Sequence, residues 1–120
     1  MQQNSNSDLS SQNCIPCQGG ILPLKGDDLA ALAAQLPAGW QVVDEHHLEK
    51  TFKFKNFKLA LDFVNKIGAL AEEIGHHPDI DFGWARAKIT VWTHKINGLH
   101  KNDFIFAAKA DKLYPVRENC

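Results

Sequence analysis

A chain of 120 residues with 44% hydrophobic content has apolar material for one core and not for two. Its formal net charge of -1 at pH 7, with a pI near 6.6, offers no basic face to nucleic acid or an anionic membrane, and neither is expected as a partner. No apolar run approaches the roughly 20 residues of a membrane span, and Met1 to Asn13 lacks the apolar centre of a signal peptide, so the cytoplasm is the expected location.

In chain order, residues 1–25 are rich in Ser, Asn, Gln, Gly and Pro and read as a flexible N-terminal tail, followed by one domain over 26–115 and a short C-terminal tail over 116–120. The three cysteines, Cys14, Cys17 and Cys120, are an odd number without an export signal and are expected to be reduced. Cys14-Ile15-Pro16-Cys17 has the spacing of half a zinc site or of a redox pair, but no second half follows it. The plainer reading is two thiols in a mobile arm.

Asp27 or Asp28 is expected to cap a short helix that carries Leu29, Leu32, Ala33 and Leu36 on one side and ends at Pro37-Ala38-Gly39. Trp40 follows as a core anchor. Gln41 to Val43 and Leu48 to Phe54 read as two strands joined around Asp44-Glu45, with His46 and His47 decorating the turn. Asn56 then caps a long helix. Phe57, Ala60, Leu61, Val64, Ile67, Gly68, Ala71 and Ile74 fall at helical spacing, so that helix buries this face and ends near Gly75, a residue suited to a left-handed cap. Ile80 to Trp84 is the third strand, with a turn near Ala85-Arg86. In the fourth, Ala87, Ile89, Val91 and Thr93 alternate with Lys88, Thr90, Trp92 and His94, which puts His94 on the polar face at the strand end. Asn97-Gly98 makes a turn, and a last helix over about Lys101 to Leu113 points Phe104, Ile105, Ala108 and Leu113 inward. The order αββαββα predicts an α+β two-layer domain, a four-stranded antiparallel sheet with three helices on one face.

The chemistry-bearing residues cluster in Glu72 to Asp103. His76 and His77 sit just beyond a helix end, with Pro78 forbidding continuation, and His94 lies at the end of a strand. Histidine titrates near neutral pH, so one imidazole can donate a proton while another accepts one, with no metal required. Taken singly, His76-His77 reads as a solvated helix end, His94 as a strand residue with a satisfied hydrogen bond, and Asp103 as a carboxylate complementing a helix dipole. His100 stands at an N-cap position and is given no role. Three histidines plus water also make a zinc site, although the side chains of adjacent His76 and His77 are expected to diverge.

These residues carry a resemblance. The run Ala71-Glu72-x-x-x-His76-His77-Pro78, then Ile89-Thr90-Val91-Trp92-Thr93-His94, then Gly98-Leu99 with Asp103 and Ala107, is similar to pterin-4a-carbinolamine dehydratases. Gly39-Trp40 and Phe52-x-Phe54-x-x-Phe57-x-x-Ala60 extend the match over roughly Asp27 to Tyr114. The resemblance implies the same α+β fold and removal of water from a 4a-hydroxytetrahydropterin to give the quinonoid dihydropterin, serving tetrahydropterin recycling without metal or cofactor. It implies His76, His77 and His94 as catalytic and substrate-binding histidines, Asp103 as their supporting carboxylate, and Glu72 as the helix glutamate beside the substrate. Glu72, four residues before His76, is expected to orient that imidazole, and Asp103 to orient His94 or hold the pterin. Many members have Ser where His100 stands, so His100 is expected to cap poorly.

The small-molecule pterin is the implied partner, with a homodimer or homotetramer as the assembly and an aromatic amino-acid hydroxylase in the same pathway. The alternatives are a protein-binding dimerisation cofactor on the same fold, and a pterin enzyme of another pathway.

Overall fold

Asn56 begins the longest helix, its Oδ1 accepting from Leu59 N at 2.9 Å, and Gly75 ends it in left-handed backbone at φ 70°. In this computed structural model, which describes residues 9–13 and 21–115, that helix is α2, Phe57–Ile74. The remaining elements are α1 (Gly26–Ala33), β1 (Gln41–Val43), β2 (His47–Lys53), β3 (Asp79–Gly83), β4 (Arg86–Val91) and α3 (Lys101–Lys112), with 3-10 turns at Leu9–Ser11 and His94–Ile96. The predicted order αββαββα is the observed one. The four strands form one antiparallel sheet in the order β1-β2-β4-β3.

Alternation along the strands sets the two faces. Leu48, Phe52, Ala87, Ile89 and Val91 are buried toward the helices, while Glu49, Thr51, Lys88 and Thr90 stand on the other face, where Lys88 Nζ lies 3.4 Å from Glu49 Oε1. α3 is the most buried helix: Asn102 through Ala108 and Ala110 are all buried, because the sheet covers one side of it and Leu9 and α1 lie against others. An aromatic cluster closes the core, with Phe52 and Phe63 centroids 4.6 Å apart and Tyr114 5.0 Å from Phe52. Trp40 packs at its edge and donates from Nε1 to Asp111 Oδ1 at 3.1 Å.

Several local expectations are corrected. Neither Asp27 nor Asp28 caps α1. Lys25 occupies that position without a side-chain cap, the Gly26 N–H donates to Glu45 Oε2 at 3.2 Å, and both aspartates lie in the first turn where carboxylates suit the dipole. The hairpin joining β3 and β4 reverses at Trp84-Ala85, with Ala85 at φ 59°. On α2 the buried stripe is Ala60, Phe63, Ile67 and Ala71. Phe57 and Leu61, expected inward, are 44% and 37% exposed on a neighbouring stripe.

The tail assignment also differs within the described residues. Leu9 is 2% exposed in the core, Lys109 Nζ donates to Ser10 O at 3.0 Å, and Leu24 N donates to Leu99 O at 2.9 Å. Gly98 permits that last approach, since a Cβ there would meet Pro23 Cβ at 2.6 Å. Cys14, Cys17 and Cys120, with the tail over 116–120, lie outside the described residues.

Candidate functional site

The left-handed Gly75 does more than stop α2. It turns the chain out of the helix, so His76 and His77 leave the helical register and point to different partners. His76 Nε2 lies 2.6 Å from Asp103 Oδ1 and His77 Nε2 2.7 Å from Glu72 Oε2. This exchanges the expected pairings. Glu72 serves His77 and not His76, because the one-turn spacing rule holds only while both residues remain helical. Asp103 serves His76 and not His94, because the chain leaving α2 at Gly75 brings the His76 ring onto α3, where it also lies 6.0 Å from the Phe106 ring.

Asp103 is fully buried and every contact to it comes from a donor. Beyond His76, its Oδ2 accepts from Thr93 Oγ1 at 2.7 Å and from His100 N at 2.9 Å. The second of these is half of a capping box; in the other half His100 Nδ1 accepts from Asn102 N at 3.0 Å. His100 is therefore an effective cap, against the expectation of a poor one, with its ring nitrogen taking the place of a hydroxyl. A carboxylate held by three donors stays compensated although buried. It fixes the His76 ring, whose side chain keeps 12% exposure.

β4 ends at Val91, so His94 is not a strand residue. Thr93 pairs in an isolated bridge with Gly98, and His94 opens the 3-10 turn that Asn97 closes at φ 50°. The His94 ring rests 4.4 Å from Trp92. These residues meet in one cleft of about 280 Å³, lined by Gly75, His76, His77, Trp92, Thr93, His94 and Lys95. The three predicted histidines thus converge, with Glu72 and Asp103 behind two of them. A larger hollow of about 420 Å³ beside Ser11 to Asn13 and the start of α3 is lined by none of the three.

Proton positions follow from the partners. An ionised carboxylate only accepts, so Nε2 of His76 and of His77 each carries a hydrogen, and in the neutral ring Nδ1 holds the lone pair. Among the described residues no group of three or more His, Cys, Asp or Glu is arranged to hold a metal ion, because two of the three cleft histidines commit Nε2 to separate carboxylates. Thr93, which with His94 answers the His76-His77 pair in the sequence, does reach the cleft, whereas nothing in the sequence beyond its place in the Trp92-Thr93-His94 run marks Trp92 as a cleft residue.

Residues 22–113 match the family model for pterin 4 alpha carbinolamine dehydratase. A curated protein of Rubrobacter xylanophilus, given the name pterin-4-alpha-carbinolamine dehydratase by inference, is 64% identical over 107 residues, 89% of this chain and 99% of that relative. A relative so named in Alkaliphilus metalliredigens is 52% identical over 106 residues, 88% of this chain and 96% of its own length. Among solved structures, a transcriptional coactivator/pterin dehydratase from Brucella melitensis superposes with a TM-score of 0.72 at 30% identity, covering 78% of this chain and 99% of that one. A pterin dehydratase-like protein identified as a RuBisCO assembly factor in the alpha-carboxysome gives 0.56 at 29% identity, covering 63% of this chain and 89% of that one. On the match across residues 22–113 and on these relatives, the chain belongs to the pterin-4a-carbinolamine dehydratase family.

Proposed function

We propose that this protein dehydrates a 4a-hydroxytetrahydropterin to the quinonoid dihydropterin in tetrahydropterin recycling, by histidine acid/base catalysis. The convergence of His76, His77 and His94 on one cleft, with two imidazoles backed by carboxylates, carries this reading. In the reaction the C4a–O bond breaks as a protonated imidazole gives its proton to the departing hydroxyl. A neutral imidazole takes the N5 proton, and the electrons of that N–H bond form C4a=N5. Carboxylate-fixed rings presenting Nδ1 suit either role without reorganisation. An aromatic amino-acid hydroxylase in the same pathway is the proposed source of the substrate. A stopped assay of carbinolamine dehydration with purified protein tests the proposal, and a rate no faster than the spontaneous one sinks it.

The chemistry needs no metal. Dialysis against EDTA is expected to leave turnover unchanged, and activity lost on chelation and restored by zinc would replace the acid/base reading.

The assembly is proposed to be at least a homodimer. Phe57 and Leu61 extend an exposed apolar stripe on α2, Phe82 packs on Phe57 at 4.9 Å, and Trp84 is 70% exposed at the end of edge strand β3. The open sheet face is an inferior candidate for the interface, since its charges already pair across strands. Sedimentation at micromolar concentration is expected to give a dimer or tetramer, and a purely monomeric profile counts against it. The same stripe favours the rival reading of a protein-binding module, which predicts partner binding that survives loss of the cleft histidines.

A further inference from the structure

A second histidine pair, His46-His47, takes no part in the proposed chemistry. Asp44 and Glu45 both adopt left-handed backbone, at φ 54° and 53°, and His46 N donates to Val43 O at 2.8 Å. The reversal between β1 and β2 is therefore tight, and it fixes the direction of the His46 ring. That ring has three neighbours. Its Nε2 lies 3.0 Å from Asn97 Oδ1, its Nδ1 3.0 Å from His47 Nδ1, and its centroid 5.2 Å from that of Trp92.

Two of those neighbours bracket His94. Trp92 precedes it by two residues and contacts its ring. Asn97 follows it by three and closes its 3-10 turn, donating from N to His94 O at 3.1 Å. On the buried side this segment is tied down through Thr93, by its hydroxyl on Asp103 and its bridge to Gly98. On the solvent side, where His94 itself is exposed, the tie comes from His46.

We propose that His46 is a positioning residue for His94, holding the Trp92–Asn97 segment through Asn97 and Trp92 so that the His94 imidazole stays in the cleft. The hydrogen-bond directions are consistent with a fixed ring. Asn97 Oδ1 only accepts, so His46 Nε2 carries a hydrogen, and the neutral ring then offers its Nδ1 lone pair to His47 Nδ1–H. His47 Nε2 in turn lies 3.7 Å from Glu49 Oε1. His46 touches no reacting atom and acts through His94.

The kinetic side of this inference rests on the dehydratase reading, while its geometric side does not. His46→Ala removes the ring. Asn97→Gly deletes Oδ1 yet keeps the left-handed backbone accessible. Each is expected to lower kcat about tenfold with KM nearly unchanged, as for displacement of a catalytic group by less than about 1 Å. Combined, they should cost no more than the worse single change, because both remove one shared contact. The His94 imidazole proton resonances should move in both variants, while those of His76, held by Asp103, stay in place. Wild-type kcat with unmoved His94 resonances overturns the proposal. If His46→Ala does not fold, Asn97→Gly decides alone. An inactive wild-type protein would defeat the dehydratase reading only, since the His94 resonances still report whether His46 positions that ring.

Discussion

His76→Ala and His77→Ala are each expected to lower turnover above the spontaneous rate by about 10² to 10⁴, the usual loss for a general acid or base. Their effects on stability should differ. His76 is the partner of Asp103, which is fully buried, and removing the imidazole leaves Oδ1 of a buried carboxylate uncompensated, at a cost of about 1–3 kcal/mol. His77 and Glu72 form an exposed pair, with side chains 60% and 79% accessible, and such pairs contribute only about 0–1 kcal/mol. Thermal melting alongside kinetics should thus show two slow enzymes, of which only His76→Ala melts markedly lower. If both variants keep wild-type turnover, the cleft histidines are not the catalytic groups.

The different costs arise from geometry only partly legible in sequence. Helix α2 could be read from Asn56 to Gly75 because both ends carry their own chemistry, an Asx cap and a left-handed glycine. β4 could be read up to Val91 because its partner β2 demands strict alternation as far as the Leu48–Val91 pair. Beyond that pair no strand continues to impose the pattern, and the chain is free to turn at Thr93. His94 therefore escaped the strand register that periodicity suggested. On α2, apolar residues fill two adjacent stripes, and spacing alone does not say which one the sheet covers. Phe63 belongs to the covered stripe and Phe57 to the exposed one.

The histidine partners were illegible for a different reason. His76 and Asp103 are 27 residues apart, and only the tertiary fold brings the residue after Gly75 onto the first turn of α3. His100 caps better than expected because, although hydroxyl and carboxylate caps are the usual ones, an unprotonated Nδ1 also accepts an N–H. Resemblance supplied the residue types of the site, and the fold supplied which of them touch.

Asp103→Asn separates the two duties that the structure gives this carboxylate. The three groups around Asp103 all donate to it: His76 Nε2, Thr93 Oγ1 and His100 N. An asparagine can keep its carbonyl oxygen toward Thr93 and His100, preserving the cap, only by turning its NH₂ toward His76. Nε2 must then accept, the neutral imidazole carries its hydrogen on Nδ1, and the nitrogen that should exchange a proton with substrate holds the wrong one. Asparagine in place of the orienting aspartate of a hydrolase triad costs about 10⁴ through this same tautomer error. A loss of about 10² to 10⁴ in turnover is expected here, with a stability cost of about 1 kcal/mol for the lost charge at the α3 N-terminus. Thr93→Val provides the opposite case. It removes one donor to Oδ2 but leaves the His76 contact intact, so it should lower the melting temperature while keeping most of the turnover. Measuring both quantities for both variants decides the matter: Asp103→Asn with full turnover and reduced stability would reduce Asp103 to a helix cap and leave His76 without an orienting partner.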